Sequence, residues 1–167
     1  MKVEPAILAD AFSVMQLITL CREDLRSRAI HQWDEIYPNP EVVDNDARTG
    51  SLFVIRHESE CVASISLNDS QPEEYRAIPW RFVDGRALVI HRLCVHPAWQ
   101  RRGLGRKLMD FTEDFAKRSG FSCIRLDAYT GNPRALSLYE QRGYDRVGQT
   151  WFPRRPLPFD CFEKIMT

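Results

Sequence analysis

The chain has 167 residues and carries 23 lysines and arginines against 23 aspartates and glutamates, so its formal net charge at pH 7 is zero. This balance gives no overall field that would attract nucleic acid or an anionic membrane, and the length predicts a single domain, residues 1–167. Five dispersed cysteines without a Cys-x-x-Cys pair favour a reducing compartment over a disulfide scaffold or a zinc site. Since no signal-type or membrane-spanning apolar run is present, we expect a soluble cytoplasmic protein. Together with the charge balance and the cysteine spacing, this predicts no metal, nucleic-acid or membrane partner.

The first half of the chain predicts two helices and three short strands. Asp10 is a suitable N-cap for a helix whose apolar residues recur at helical spacing. Pro38 and Pro40 end any helix that precedes them. The predicted elements are an edge strand at 2–5, the helix after Asp10, a short helix at 40–49, and the strands of a β-hairpin at 51–56 and 61–67.

Two segments beside these elements, residues 26–50 and 68–86, carry no recognisable motif. Their aromatic residues are mixed with carboxylates, which fits a pocket for a cationic amine. The same residues also fit a structural role, with the rings closing the ends of the core and the carboxylates facing solvent. The candidate residues of such an amine pocket are Trp33, Tyr37, Glu73 and Trp80.

The next segment contains a candidate phosphate-binding loop. An apolar strand at Ala87–Val95 leads through a short link into Gln100-Arg101-Arg102-Gly103-Leu104-Gly105, which opens an amphipathic helix. Two glycines at a helix start leave the first backbone N–H groups uncovered, and the helix dipole adds partial positive charge there. The cations Arg101, Arg102, Arg106 and Lys107 surround the same spot, so the loop suits a pyrophosphate.

The spacing of this loop excludes two other phosphate motifs. Gly103-Leu104-Gly105 lacks the third glycine of a dinucleotide fingerprint, and the segment also lacks the Gly-x-x-x-x-Gly-Lys-Ser/Thr spacing of a P-loop. A glycine-containing strand-to-helix turn with solvated arginines remains the alternative interpretation.

The last third of the chain continues the alternation of strands and helices. Because a strand, a helix and a second strand follow one another, we expect a parallel pair of strands at the centre of a mixed sheet. Asn132-Pro133 opens the second helix of this part, with proline at the first helical position. The predicted elements are a strand at 122–128, the helix from Asn132 to Gly143, and strands at 144–152 and 159–166.

The loop Gln100-x-x-Gly103-x-Gly105, followed by Asn132, Ala135, Tyr139, Gly143 and Tyr144, resembles the two signatures of the GNAT superfamily of acyl-CoA-dependent N-acetyltransferases. The order of elements is also that of the GNAT fold. This resemblance implies an α/β (α+β) fold with a central mixed sheet of about seven strands and about four helices. It also implies acetyl-CoA as the co-substrate and a primary amine as the acceptor.

The resemblance implies a set of cofactor-binding residues. Asn132 and Tyr139 lie about two helical turns apart, so both project to one side of their helix, and the resemblance places them at the CoA chain and the departing sulfur. Asn132 equally fits an N-cap, and Tyr139 equally fits a core tyrosine. The expected cofactor-binding residues are Leu93, Cys94, Val95, Gln100, Arg101, Arg102, Gly103, Leu104, Gly105, Arg106, Asn132 and Tyr139.

The transfer chemistry requires a base, an oxyanion donor and an acid. An amine that is protonated at neutral pH must lose a proton before or during its attack on the thioester, and His91 is the best candidate for that base. The Val95 N–H group is the expected oxyanion donor, and the Tyr139 hydroxyl is the expected acid. A buried structural role for His91, a glutamate at 73 or 74 acting through water, and an acetyl intermediate on Cys94 are the alternatives. Direct transfer is preferred over the intermediate.

Two other functions are compatible with the same sequence. A non-catalytic module that senses acyl-CoA would use the same loop, although it would need neither His91 nor Tyr139. Transfer of a longer acyl group would differ only in pocket volume. The identity of the amine is not encoded in a readable motif, and the terminal strands allow a homodimer.

Overall fold

The computed structural model describes residues 1–167. The helices and strands follow in the order β-α-α-β-β-β-α-β-α-β-β, as the sequence predicts. The helices are α1 (Ala11–Ser27), α2 (Pro40–Arg48), α3 (Leu104–Arg118) and α4 (Pro133–Gln141). The strands are β1 (Val3–Pro5), β2 (Leu52–His57), β3 (Glu60–Asn68), β4 (Ala87–Val95), β5 (Cys123–Tyr129), β6 (Asp145–Thr150) and β7 (Phe159–Ile165). None of the helices has the length and apolar character needed to cross a membrane.

The seven strands form one mixed sheet in the order β1-β2-β3-β4-β5-β7-β6. β4 and β5 pair in parallel, as the helix between them predicts, and the β1–β2, β2–β3, β5–β7 and β6–β7 pairs are antiparallel. The predicted fold class, a mixed sheet of about seven strands with four helices, is therefore confirmed.

The chain divides into two compact units, and the single-domain organisation stays a prediction. The first unit comprises Met1–Ala29, Trp33–Leu67 and His91–Thr112. The second unit comprises Ile30–Gln32, Asn68–Ile90 and Glu113–Thr167.

The core of the first unit forms where α1 and α2 cover the strands. In α1, Val14, Leu17 and Cys21 are buried at the helical spacing that the sequence predicts. They pack with Val43 of α2 and with Cys94 of β4 in one apolar cluster. The thiol of Cys94 therefore points into this core.

Asp10 precedes α1 as predicted but does not cap it with its side chain. Its Oδ2 accepts the Ile7 N–H over 2.8 Å, and the same carboxylate binds the Arg56 guanidinium with a shortest distance of 2.5 Å. Asp10 is therefore the N-cap residue by position, while its carboxylate binds Ile7 and Arg56, which lies 46 residues away in sequence.

β3 is covered on both of its faces. Although serines alternate with apolar residues in this strand, Ser64 and Ser66 are as buried as Ala63 and Ile65. Both faces of a strand are buried when further elements cover each side of the sheet.

In the second unit, a buried ion pair ties the connection between β3 and β4 to the sheet. Arg125 of β5 and Glu163 of β7 lie 3.1 Å apart, and their side chains are only 9% and 2% exposed. Glu163 Oε1 also accepts the backbone N–H groups of Arg81 (2.8 Å) and Phe82 (3.3 Å). The Arg125 guanidinium stacks 4.6 Å from the centre of the Trp80 ring. The pair thus fixes the segment that carries the candidate acceptor residue Trp80.

Replacing Arg125 with methionine is expected to reduce the free energy of unfolding by about 3–5 kcal/mol, because it leaves the buried Glu163 carboxylate without its cation. Urea denaturation measures this loss. Arg76→Met is the matched control, since Arg76 and Glu73 form a pair whose side chains are 82% and 80% exposed, and its loss should cost less than about 1 kcal/mol. Equal losses of unfolding free energy in the two variants would contradict a stabilising role of the buried Arg125–Glu163 pair.

Candidate active site

The link between β4 and α3 is held in place by its own side chains. His96 Nδ1 accepts the Ala98 N–H over 3.1 Å at the start of a short 3-10 helix, Pro97–Trp99. The His96 N–H donates to the Val62 carbonyl over 2.8 Å, and Gln100 Nε2 donates to the Val95 carbonyl over 3.2 Å. His96 is therefore a turn residue, and Gln100 ties the loop to the end of β4.

The loop curls tightly before α3 begins at Leu104. Arg101 and Gly103 both have left-handed backbone conformations, with φ values of 61° and 81°. Apart from Gly103 itself and its two chain neighbours, no residue has an atom within 4 Å of the position that a Cβ at Gly103 would occupy. Leu104 is buried and anchors the first helical turn to the core. The start of α3 therefore offers open space beside backbone N–H groups that have no partner within the helix.

Three of the four predicted cations are exposed arginines around this space: Arg101, Arg102 and Arg106. The Arg102 guanidinium lies 4.9 Å from the centre of the Trp99 ring, which also contacts the His57 ring at 4.6 Å. Lys107, in contrast, donates to the Met1 carbonyl. The loop thus combines a helix start, an accessible glycine and exposed guanidinium groups, which together suit an anion with several oxygens.

The end of β4 carries the candidate base and the residues predicted to contact the acetyl and pantetheine groups. His91, Leu93 and Val95 are half-buried, whereas Cys94 is 6% exposed and lies 3.3 Å from Ser64 Oγ. The Val95 carbonyl accepts the Cys21 thiol over 3.3 Å as well as Gln100. Between His91 and Leu93, the backbone of Arg92 turns left-handed, with φ 50°. The strand is therefore irregular at the position that separates the candidate base from the candidate oxyanion donor.

The structure places Trp33 and Tyr37, the first two candidate acceptor residues, in the first unit. Trp33 is half-buried and packs against the apolar cluster of α1, α2 and β4. Tyr37 is 37% exposed, and its hydroxyl accepts a hydrogen bond from the Arg92 guanidinium over 2.8 Å. Both residues thus have structural partners, as the alternative interpretation of these aromatics expects.

Asn132 caps α4 in the second unit. Its Oδ1 accepts the Ala135 N–H over 3.2 Å, and its Nδ2 donates to Gln32 Oε1 over 2.9 Å. The residue is 8% exposed. The N-cap interpretation is therefore confirmed, while the role of Asn132 toward CoA stays a prediction.

Tyr139 is a buried residue of α4. Its ring lies 6.1 Å from that of Tyr144 and 5.9 Å from that of Phe162. Burial, reinforced by the negative charge of Asp127, raises the pKa of the Tyr139 hydroxyl well above the ordinary tyrosine value. The hydroxyl is therefore protonated throughout the physiological pH range.

Asp127 is a candidate site residue that the sequence reasoning missed. It lies on β5 and is half-buried, and its Oδ2 accepts the Tyr75 hydroxyl over 2.6 Å. The same carboxylate acts electrostatically on Tyr139 and on Cys161, and burial followed by this charge raises the pKa of Cys161 to about 12. A carboxylate in the middle of an apolar strand, between Leu126 and Ala128, was the available signal.

Glu73 and Trp80, the other two candidate acceptor residues, differ in their surroundings. Glu73 lies on an exposed 3-10 turn, where it pairs with Arg76 at 3.2 Å. Trp80 packs against the ring of Tyr75 at 4.9 Å, and its Nε1 donates to the Tyr75 carbonyl over 2.9 Å. The structure therefore associates Trp80, and not Glu73, with the Tyr75–Asp127 pair. No group of three or more His, Cys, Asp or Glu side chains is arranged to hold a metal ion.

Comparison with known proteins gives one family. The sequence profile of the acetyltransferase (GNAT) family matches residues 14–144. The uncharacterized N-acetyltransferase YesJ of Bacillus subtilis is 28% identical over 148 residues, which cover 86% of this chain and 81% of YesJ. A GNAT-family acetyltransferase of Streptococcus agalactiae superposes with a TM-score of 0.83 at 21% identity, covering 99% of this chain and 95% of the other. The structure of yncA of Salmonella typhimurium with its cofactor acetyl-CoA superposes with a TM-score of 0.71 at 18% identity, covering 100% and 94%.

Proposed function

This chain belongs to the GNAT acetyltransferase family, and we propose that it transfers the acetyl group of acetyl-CoA directly to a primary amine within a ternary complex. The family assignment makes the protein an acetyltransferase with acetyl-CoA as its donor.

The observation that carries the proposal is the open space at the start of α3. We propose that the backbone N–H groups of Gly103, Leu104 and Gly105 bind the pyrophosphate of acetyl-CoA. The exposed guanidinium groups of Arg101, Arg102 and Arg106 neutralise its charge. Gln100 supports this loop through its bond to the Val95 carbonyl. The space around Gly103 supports the assignment, because no neighbouring side chain fills it.

The strand β4 is proposed to hold the reacting thioester. Backbone groups of Leu93 and Cys94 face the pantetheine, and the Val95 N–H donates to the oxyanion that develops on the acetyl carbonyl. The Cys94 thiol lies inside the apolar cluster under α1. This position supports direct attack by the amine over an acetyl intermediate on the cysteine.

Tyr139 is proposed to donate a hydrogen bond to the departing sulfur, with Asn132 contacting the CoA chain from the start of the same helix. The raised pKa of the Tyr139 hydroxyl keeps its proton available at every physiological pH. A hydrogen bond to a leaving atom that becomes negatively charged stabilises that charge more in a water-poor site than in water.

The amine must be attracted and then deprotonated. We propose that His91 removes the proton, since an imidazole titrates near the working pH. We also propose that the Asp127 carboxylate, oriented by the Tyr75 hydroxyl, attracts the ammonium group of the acceptor, with Trp80 beside it. A cationic amine is therefore the acceptor class that this arrangement favours.

Asp127→Asn is expected to raise the KM for the amine by about 10-fold or more, because a hydrogen bond to a charged group is lost while the Tyr75 hydroxyl keeps an acceptor. Steady-state kinetics with a fixed, saturating acetyl-CoA concentration measures this change. The matched control is Asp145→Asn, which removes a carboxylate of the same unit that is 62% exposed and pairs with Arg81. An unchanged KM for Asp127→Asn would remove Asp127 from the acceptor site.

The test of the proposed function is a screen of amines with thiol release as the signal. Purified protein is mixed with acetyl-CoA and with amino acids, polyamines, aminoglycosides and short peptides with free N-termini, and free CoA is measured. The proposal predicts that at least one class of amine in the panel causes CoA release. When that amine is acetylated beforehand, CoA release should stay at the level measured without amine. Tight acetyl-CoA binding without release across the panel would favour a non-catalytic acyl-CoA-binding module instead.

A further inference from the structure

Arg92 interrupts β4 with an unusual backbone conformation. Its φ of 50° lies in the left-handed region, which a residue with a Cβ adopts only at a cost in free energy. The residue is preceded by His91, the proposed base, and followed by Leu93 of the proposed donor-binding stretch. Such a conformation persists only where surrounding contacts enforce it.

The contacts that enforce it come from the Arg92 side chain. Its Nε and one terminal nitrogen donate to Asp46 Oδ2 over 2.9 and 2.6 Å, and the other terminal nitrogen donates to the Tyr37 hydroxyl over 2.8 Å. The Arg92 and Asp46 side chains are only 9% and 4% exposed. A buried guanidinium without its carboxylate would be strongly unfavourable, so the pair holds the residue in one place.

The same contacts fix the segment before α2. Asp34 Oδ1 accepts the backbone N–H groups of Ile36 and Tyr37, both over 2.9 Å, and the Asp34 N–H donates to the Tyr37 carbonyl over 3.0 Å. This closed turn carries Tyr37, whose hydroxyl meets Arg92. The turn at residues 34–37 is thus connected through one guanidinium to α2 and to β4.

We propose that Asp46 and Tyr37 are positioning residues for acetyl transfer, acting through Arg92. The Asp46 carboxylate holds the left-handed backbone of Arg92 and thereby sets the direction of His91 and of the backbone at residues 93–95. The Tyr37 hydroxyl holds the turn at residues 34–37, which belongs to a segment that the sequence associates with the amine, to the same guanidinium. Neither residue has to touch acetyl-CoA for this role. The inference rests on the proposed function, since it concerns the same reaction.

The decisive comparison is Arg92→Gly against Arg92→Ala. Both substitutions remove the guanidinium and leave Asp46 without it, but only glycine adopts a positive φ without steric cost. If the backbone conformation matters for catalysis, kcat should fall in both variants and should be about fivefold or more higher for Arg92→Gly. Circular dichroism and calorimetric titration with acetyl-CoA establish that each variant is folded. Equal kcat values for two folded variants would overturn the proposal.

Tyr37→Phe provides a second test that keeps the buried ion pair and therefore the fold. We expect its KM for the amine to rise about three- to tenfold, with its affinity for acetyl-CoA changed by less than about twofold. This split distinguishes positioning of the amine from a loss of stability. If neither the KM for the amine nor the affinity for acetyl-CoA changes in Tyr37→Phe, the proposed role of Tyr37 is wrong. This test remains valid even if the Arg92 variants fail to fold. A wild-type protein that acetylates no amine would instead contradict the proposed function itself.

Discussion

Gly103→Glu is expected to weaken the binding of acetyl-CoA by at least about 100-fold while the protein remains folded. The open space around Gly103 accommodates a side chain in the absence of ligand. The glutamate would then place a carboxylate where the pyrophosphate is proposed to lie, which adds both repulsion and steric exclusion. Isothermal titration calorimetry with acetyl-CoA measures the change directly.

Two substitutions separate charge from backbone strain in this experiment. Gly50 also has a left-handed backbone, with φ 72° against 81° at Gly103, and open space around its Cβ position. Gly50→Glu therefore imposes a similar strain and the same charge outside the loop, and it should bind acetyl-CoA normally. Gly103→Ala imposes the strain at the loop without the charge and should lose less affinity than Gly103→Glu. Normal binding by Gly103→Glu would place the pyrophosphate elsewhere.

Tyr139→Phe is expected to lower kcat by about 10²- to 10³-fold, with little change in the affinity for acetyl-CoA. Phenylalanine keeps the ring contacts with Tyr144 and Phe162, so only the hydroxyl is lost. The raised pKa of Tyr139 adds a second expectation. Ionisation of Tyr139 should not lower the kcat of the wild type at any pH up to about 10, since the hydroxyl remains protonated there.

The neighbouring tyrosine is the matched control for this substitution. Tyr144 is also buried, and its ring lies 6.1 Å from that of Tyr139. Tyr144→Phe also removes a buried tyrosine hydroxyl, but one outside the proposed site, so kcat should remain within about twofold of wild type. Similar losses in both variants would indicate a general effect of the buried hydroxyls, and an unchanged kcat for Tyr139→Phe would exclude Tyr139 as the donor.

Local sequence signals predicted most of the fold because they depend on neighbouring residues. The short helix predicted at residues 40–49 is α2, which begins at Pro40 and is capped by the Asn39 side chain, whose oxygen accepts the Val42 N–H over 3.0 Å. Asn132 followed by Pro133 begins α4 in the same way. The glycines on either side of Leu104 marked the start of α3, where Gly103 adopts a left-handed backbone. The order of elements then followed from these boundaries.

Contacts between distant segments could not be predicted from the same signals. The Arg92 carboxylate partner, Asp46, is 46 residues away, and the partner of Asp127, Tyr75, is 52 residues away. Asp46 looked like an ordinary polar position of a helix, and although Asp127 stood out as a carboxylate in an apolar strand, its neighbours gave no indication of its partner. Lys107 was grouped with the phosphate-binding cations because of its position in sequence, yet it contacts the Met1 carbonyl. Side-chain chemistry at the site therefore required the three-dimensional arrangement.

The most direct test of the central claim is to follow the acetyl group by mass spectrometry. Protein is incubated with acetyl-CoA alone, and then with the best amine from the screen, and the masses of protein and amine are recorded. Direct transfer predicts an unmodified protein in the first sample, and an amine carrying one acetyl group with free CoA in the second. A stoichiometric acetyl group on the protein that later passes to the amine would contradict transfer in a ternary complex. The absence of any acetylated amine, despite tight binding of acetyl-CoA, would contradict the acetyltransferase function.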